Sequence, residues 1–563
     1  MQTRLRDGTE CDVLVIGSGA GGMATAITAA KQGLDVIIIE KAPVFGGTTA
    51  FSGGVVWIPG NPNCPPDDIA QAREYMKHET GNFYDESAVN AYLDTGAEML
   101  AFFERETEVK FSPSLYPDYH PDAPGGADVG RSLTATPYDT SALGDNLKRL
   151  RPPLSTITFM GMMFNSSNAD IKHFFNATKS VRSFAYVAKR LAAHAAEVVR
   201  YGRGTHVTSG NALAARLAKS CFDLNIPIYT DSPARDLLTE HGAVVGAKVK
   251  GQMGDVIVRA RKGVVLAAGG FAHDIAKIRE AYPHLKRGGE HLSPVPKDNT
   301  GDGIDLGRTV GGQFEVRFPE TSAWMPVSKV PTKTGFKPFP HLIDRYKPGI
   351  IGVLKSGKRF TNESASYHDV GAAMIKACEG ETETACWLIA DRPTIRKYGL
   401  GFAKPAPVPL APYLKNGYLV SGKTLADLAR NAGIDAKGLA ATIATYNKDA
   451  VRGADPEFGR GATSFNRYLA DPDVGPNPCV APITEGPFYA LKLVMGDLGT
   501  FDGLATTVEG QVLDTQGTPI GGLYAVGNDR ASIMGGNYPG AGITLGPALT
   551  FGYITGRHLA GVA

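Results

Sequence analysis

The chain is poor in the features that would announce a metal site, a nucleic-acid binder or a secreted scaffold. Its 563 residues hold six cysteines (Cys11, Cys64, Cys221, Cys378, Cys386, Cys479), scattered and without a Cys-x-x-Cys pair. That excludes a disulfide framework, offers no zinc or iron–sulfur ligand set, and predicts reduced thiols and no metal. Charge of one sign is also lacking: 58 Lys and Arg face 56 Asp and Glu, a formal net charge of +2. No nucleic-acid partner is expected from such a balance. The first ten residues, MQTRLRDGTE, contain no apolar signal region, so a cytoplasmic protein is predicted. No membrane-spanning run is visible either. The longest late stretch without a formal charge, 531–556, carries seven glycines and two prolines. Such a segment fails as a lipid-facing helix and is predicted to line a site.

What is abundant is glycine, 68 residues, well above the ~7% of ordinary usage and without a collagen period. Hydrophobic residues at 43% and charged residues at 20% leave ample material for a core and exclude wholesale disorder. Residues 12–16 (DVLVI) read as a buried strand, followed by the Gly17–Ser18–Gly19–Ala20–Gly21–Gly22 turn. An alanine-rich helix closed at Gly33 comes next, then a second strand over 35–39 that ends at Glu40. This is a strand–turn–helix–strand unit of the dinucleotide-binding kind. Helices are predicted over 65–80 and 85–106, and helical character again over 170–200. Strands return over 224–270 in the segments IPIYT, AVVGAKVKG, DVIVRA and GVVLAAGG. From 285 to 495 prolines and aromatics are dense, with a helix opened by a capping-box-like Thr424. The stretch 496–563 returns to the glycine-rich style. The expectation is an α/β protein: a discontinuous Rossmann-like domain over 1–284 and 496–563, with an α+β substrate domain over 285–495 inserted in it.

Gly17, Gly19 and Gly22 form GxGxxG in its required place between strand and helix. The first glycine makes the tight turn, the second lets backbone reach a pyrophosphate, and the third packs helix on strand. Glu40 stands 18 residues past Gly22, placed to accept hydrogen bonds from a ribose. NAD and FAD share this fingerprint. Two distant strands also end in glycine, at 263–270 and 523–528. Three such strands would converge on one sheet edge, and FAD, being longer than NAD, needs the extra walls.

The segments GSGAGGMATA, EKAPVFGGTTAFSGG (40–54), AAGGF (267–271), NTGDGIDLG (299–307) and GLYAVGN (522–528) resemble the FAD-dependent fumarate reductase and 3-ketosteroid dehydrogenase superfamily over nearly the whole chain. The resemblance implies FAD contacts at Gly17, Ser18, Gly19, Ala20, Gly21, Gly22, Glu40, Lys41, Gly47, Thr48, Thr49, Ser52, Gly53 and Gly54. Further contacts are implied at Ala234, Ala268, Gly269, Gly270, Gly527, Asn528, Ile543 and Leu545. The succinate dehydrogenase branch carries its flavin on a histidine near the first segment. Thr48 and Thr49 occupy that region here, so non-covalent FAD is expected.

Three further motifs resemble the 3-oxosteroid 1-dehydrogenase branch: Tyr116-Pro117-Asp118-Tyr119, Asn362-Glu363-Ser364-Ala365-Ser366-Tyr367 and Asn537-Tyr538-Pro539-Gly540-Ala541-Gly542. The finer likeness is to long-chain members acting on sterol-derived ketones. The branch implies a 3-ketosteroid substrate losing hydrogen from carbons 1 and 2. Tyr538 and the Gly542 N–H would hold the developing enolate oxygen. Tyr367 would take the carbon-2 proton with Tyr119 beside it, and flavin would take hydride from carbon 1. His368 could compete for the base role. An unperturbed tyrosine titrates near pH 10, so the site must favour phenolate or the enzyme must prefer alkaline pH. The electron acceptor would be a quinone or a dye-like compound. The alternatives are a sister activity on the same scaffold, 4(5)-dehydrogenation or fumarate-like enoate reduction, and a non-enzymatic flavin or steroid carrier. Fumarate reduction needs cations to clamp carboxylates, and none lies between Arg530 and Arg557.

The 171–204 segment holds Lys172, Lys179, Arg182, Lys189, Arg190, Arg200 and Arg203 against Glu197, interleaved with Phe174, Phe175, Phe184, Tyr186 and Leu191. A basic, aromatic amphipathic segment suits peripheral contact with an anionic membrane; a solvated helical face is the plainer alternative.

Overall fold

A computed structural model describes residues 5–164, 173–174, 177, 180–251 and 254–562. Its central sheet is built from the glycine-ended segments. Strand β1 (Thr9–Ile16) lies between β2 (Val36–Ile39) and the long β7 (Gly254–Leu266), and β8 (Pro519–Ala525) pairs with β7's other side. The short β4 (Ile228–Tyr229) extends the sheet beyond β2. All these pairings are parallel. Parallel strands buried on both faces read as continuous apolar runs, and Val36–Ile39 is buried throughout. The registers align Ile16 with Ile39 and Leu266, and Leu266 with Ala525. The strand ends at Gly17, Glu40, Ala267 and Val526 therefore lie side by side on one carboxyl edge.

Helix α1 (Ala20–Lys31) follows β1, and its alanine-rich face packs on the C-terminal helix α5 (Leu545–Leu559). Gly552 and Gly556 allow that approach, because a Cβ at either would meet α1 below 3.0 Å. Helix α2 (Ile69–Thr80) starts later than the sequence pattern suggested. Asp68 caps it, accepting from the Ala70 N–H, so Pro65–Asp67 stay outside. The segments DVIVRA and GVVL form one thirteen-residue strand, β7, rather than two. The sequence reading also passed over β5 (Ala234–Glu240), which pairs with β6 (Ala243–Gly251).

A second, antiparallel sheet is formed by strands within 327–494. Its middle strands Ala385–Ala390 and Phe488–Val494 are mostly buried, and helices Leu425–Ala432 and Ala436–Ala450 contribute to the apolar cluster on one face. Thr424 and Asp427 form a reciprocal capping box at the first of these helices, as the sequence indicates. Helix α4 (Tyr367–Ala377) contacts the strand Ser322–Trp324. Helix α3 (Val181–Tyr201) is the exception to compact packing: only Ser183 and His194 on it are buried. Lys172, Phe175 and Lys179 lie outside the described residues. Among the described residues, no helix is long and apolar enough to cross a membrane, no group of three or more metal-ligating side chains converges, and the six cysteines are free thiols.

Candidate active site

The cradle at the carboxyl edge is shaped by what a side chain would hit. A Cβ on Gly17, at φ +115°, would lie 2.2 Å from the Ala267 oxygen, and one on Gly22 would lie 2.3 Å from the Gly17 oxygen. Gly19, by contrast, has nothing nearer than the Thr49 Oγ1 at 3.9 Å, so its backbone faces open space. Its N–H and those of Gly21 and Gly22 meet no acceptor among the described residues, while the Ala20 N–H donates to Thr49 Oγ1 at 3.0 Å. A buried helix end left without partners is where an anionic group belongs.

Glu40 accepts from the Ser18 hydroxyl at 2.5 Å and from the Ala42 N–H at 2.9 Å, which fixes its carboxylate at the end of β2. Lys41 pairs with Asp302 at 2.7 Å. Ala234 opens β5 beside the 231–232 turn, whose N–H groups donate to Ala42 and Glu40. Gly47 at φ +49° precedes a 3-10 turn of Thr48–Phe51. Asn299, from the NTGDG segment, donates to Thr48 Oγ1 at 2.8 Å and to the Gly269 oxygen at 3.0 Å. Ser52 Oγ accepts from the Gly54 N–H, so Ser52, Gly53 and Gly54 form one tight turn leading to β3 (Val55–Trp57). Gly270 abuts Thr500 and Asn528.

One residue of this cradle escaped the sequence reading. Asp529 is fully buried and accepts the N–H groups of Ala268 and Gly270 at 2.5 and 3.0 Å. It ties the end of β8 to the end of β7. Burial pushes its pKa up to about 6. The only signal was an acid following GLYAVGN.

The second wall is the amino end of α5. Thr544 gives its N-cap no side-chain hydrogen bond, and the N–H groups of Ile543, Thr544 and Leu545 meet no acceptor among the described residues. Ile543 and Leu545 are nevertheless buried, and a hollow lined by Asn528, Ile543, Thr544, Phe501 and Ser532 opens there. Two buried, uncapped helix ends, α1 and α5, on either side of a row of glycine-ended strands fit a long dinucleotide with a phosphate end and a ring carbonyl end.

The three tyrosines, named from motifs far apart in the chain, meet beside this hollow; Tyr119 and Tyr367 are 248 residues apart. Tyr119 donates to the Tyr367 hydroxyl at 3.2 Å. The Tyr119 and Tyr538 rings stack at 5.4 Å and 12°, and Tyr367 stands edge-on to Tyr538 at 5.1 Å and 73°. Each is positioned by its own element. Tyr367 is the first residue of α4, whose cap Ser366 accepts the Asp369 N–H. Tyr119 sits in a loop fixed by Asp118, which takes the Trp57 Nε1–H at 2.8 Å and pairs with Arg131 at 2.7 Å. Tyr538 precedes Pro539, whose oxygen accepts the Tyr119 N–H at 2.8 Å. Gly542 has φ +101° and lies against β3, where a Cβ would come 2.6 Å from the Trp57 nitrogen. Its oxygen accepts the Trp57 and Gly546 N–H groups, while its own N–H has no acceptor among the described residues.

Burial raises all three phenols above the usual tyrosine value, Tyr119 and Tyr367 far above it. For Tyr538, hydrogen bonding to Tyr367 and Thr544 offsets part of that rise. His368 is placed differently from a base. Its Nδ1 accepts the Trp324 N–H at 3.2 Å, and burial lowers its pKa to about 4.

An uncapped pair of helix ends beside a phenolic trio defines a dinucleotide-dependent redox site, and comparison with known proteins gives the family. The chain matches the family described as FAD binding domain over residues 12–545. It belongs to that family, and it is an FAD-dependent oxidoreductase of the ketosteroid dehydrogenase kind. It is 43% identical over 558 residues to 4-oxocyclohex-2-ene-1-carboxylate 5-dehydrogenase of Sinomonas cyclohexanicum, covering 98% of this chain and 94% of that protein. It is 36% identical to 3-oxosteroid 1-dehydrogenase of Mycolicibacterium smegmatis, covering 99% and 98%. The crystal structure of 3-ketosteroid Δ1-dehydrogenase from Sterolibacterium denitrificans, in complex with 1,4-androstadiene-3,17-dione, superposes with a TM-score of 0.88 at 34% identity. That match covers 98% of this chain and all of the other.

Proposed function

We propose that the chain removes hydrogen from the carbon–carbon bond beside a ring ketone, with a 3-ketosteroid as substrate: 1,2-dehydrogenation of a 3-oxo-4-ene steroid to the 1,4-dien-3-one. The observation that carries this is the Tyr119–Tyr367–Tyr538 cluster next to the unpartnered Gly542 N–H. In this reading Tyr538 and the Gly542 N–H donate to the ketone oxygen, strengthening as it becomes an enolate. Tyr367 takes the carbon-2 proton. Tyr119 donates to the Tyr367 oxygen and stabilises it as phenolate, and the amino end of α4 adds a positive field there. Bound FAD supplies the acceptor for the hydride of carbon 1. The row of residues from Gly17 to Gly54, with Ala234, 268–270, Gly527, Asn528, Ile543 and Leu545, would hold that FAD non-covalently. A quinone or dye-like compound would reoxidise it. The division into a cofactor domain (1–284, 496–563) and a substrate domain (285–495) fits this reading.

A second reading is favoured by the 43% identity to the 4-oxocyclohex-2-ene-1-carboxylate enzyme. That substrate carries a ring enone like the first ring of a 4-en-3-one steroid, so the same tyrosines serve a small carboxylated ring. The deciding experiment mixes enzyme anaerobically with each ketone and follows the yellow flavin. Bleaching by 3-ketosteroids at a higher kcat/KM supports the first reading, and the reverse order supports the second. Bound flavin that neither compound reduces would leave only a carrier and overturn both.

The exposed α3 is proposed to rest on an anionic membrane surface. Val181, Phe184 and Val199 are 86%, 64% and 88% exposed, on a helix that also bears Arg182, Lys189, Arg190 and Arg200.

A further inference from the structure

Each catalytic tyrosine has a chain neighbour in one polar network centred on α2, and the reading above assigns that network no part. Tyr75 of α2 donates to the Pro539 oxygen at 2.7 Å and accepts the His120 N–H at 3.2 Å. Glu79, one turn on, meets His120 Nδ1 with its carboxylate at 2.8 Å and accepts Asn537 Nδ2 at its backbone oxygen. On its other side the His120 ring reaches Asp369 Oδ2 at 3.1 Å. That same oxygen accepts the Ser366 hydroxyl at 2.7 Å, so the contact lands on the cap from which Tyr367 begins α4. His120 adjoins Tyr119, Asp369 lies two residues past Tyr367, and Asn537 and Pro539 flank Tyr538.

Both ring nitrogens of His120 thus face carboxylates, which only a doubly protonated imidazole can satisfy as donor to each. Burial by itself would lower the His120 pKa, but the bonds to Asp369 and Glu79 outweigh it and raise it to about 10. The other titratable groups beside it are the Tyr75 phenol on α2 and the neutral His368 on α4.

We propose that His120 is a positioning residue: by bridging Glu79 and Asp369 it fixes the Tyr119 loop against the start of α4 and holds the two phenols at hydrogen-bonding distance. This rests on the reading that Tyr119 and Tyr367 abstract the proton. A base displaced by about 1 Å can lose on the order of 100-fold in rate, so the clasp would govern turnover rather than substrate binding.

The test compares wild type with His120→Gln, and with the near-isosteric Asp369→Asn and Glu79→Gln, all loaded with FAD. Each variant is expected to keep its flavin and a KM within about twofold, while kcat for the preferred ketone falls ~10- to 100-fold. Amide hydrogen exchange should rise in peptides spanning 115–121 and 364–372, with the rest of the chain unchanged. Combining Asp369→Asn with His120→Gln should add little, since both break one bridge. Wild-type kcat with unchanged exchange would overturn the clasp. So would a loss of kcat explained wholly by lost flavin. If no ketone reduces the wild-type flavin, the functional reading fails instead, and the exchange data still decide whether His120 holds the two segments.

Discussion

The site's chemistry turns on one conflict at the level of single residues. In the proposed mechanism proton abstraction needs a phenolate, yet burial drives Tyr119 and Tyr367 far above the ordinary tyrosine value of about 10. At neutral pH both are therefore protonated, and the ionised fraction grows as pH rises. If that fraction limits the rate, kcat/KM should climb between pH 7 and 9 with a slope approaching one log unit per pH unit. A flat profile over that range would remove an ionising tyrosine from the rate-limiting step. The role proposed for Tyr538 needs the opposite state: a neutral phenol can donate to an enolate oxygen, and its raised pKa keeps it so. Tyr538→Phe should cost about 100- to 1000-fold in turnover, the usual loss for one oxyanion donor, with FAD content unchanged. Turnover near that of wild type would exclude the role. These three tyrosines were legible because each sits in a short local motif. Asp529 and His120 were not, because their partners lie 261 and 249 residues away, and chain order gives no hint of such pairings.

Among the elements, those with a local code were read most closely. The α1 turn is written in its own GxGxxG motif, where Gly17 and Gly22 leave no room for a Cβ, and the capping box of Thr424 closes on Asp427 three residues later. Strand β5 lacked a signal, since ARDLLTE is exposed along much of its length and pairs only at the sheet's periphery. The merger of DVIVRA with GVVL into β7 was hidden by Arg261 and Lys262 between them, where the ladder with β1 shifts register before it resumes at Gly263. Helix α3 was predicted from composition, and its exposure gives that composition a meaning. Bare Val181, Phe184 and Val199 are costly to leave in water, while each cation near an anionic surface contributes about 1 kcal/mol, screened by salt. Salt-sensitive binding to anionic liposomes is the expected result. Replacing Phe184, Lys189 and Arg190 together should weaken it and slow turnover of a liposome-held sterol ketone, while sparing a water-soluble ketone. Equal loss on both substrates would tie α3 to folding or to the active site and end the membrane reading.

At the scale of the whole molecule, the cofactor and the fold depend on each other. The carboxyl edge collects β1, β2, β7 and β8 from positions spread over more than 500 residues, and two helix ends point buried N–H groups into the space between them. Each such group costs ~1–3 kcal/mol while it lacks a partner, so FAD should satisfy what the polypeptide leaves open. Binding of that kind stabilises the native state by RT ln(1 + [L]/Kd), about 4 kcal/mol when FAD stands a thousandfold above Kd. Thr48 and Thr49 stand in the region where a covalent attachment would need a histidine, and their hydroxyls already accept from Asn299 and Ala20. The holoenzyme should accordingly be yellow, and acid precipitation should leave FAD intact in the supernatant. Deflavinated protein should unfold several degrees lower, and added FAD should restore the midpoint in proportion to the logarithm of its concentration. Flavin retained on the precipitated chain would mean a covalent bond that these threonines give no reason to expect. A midpoint indifferent to FAD would mean that the uncapped ends of α1 and α5 find other partners, and the cradle would then be a structural turn rather than the cofactor's seat.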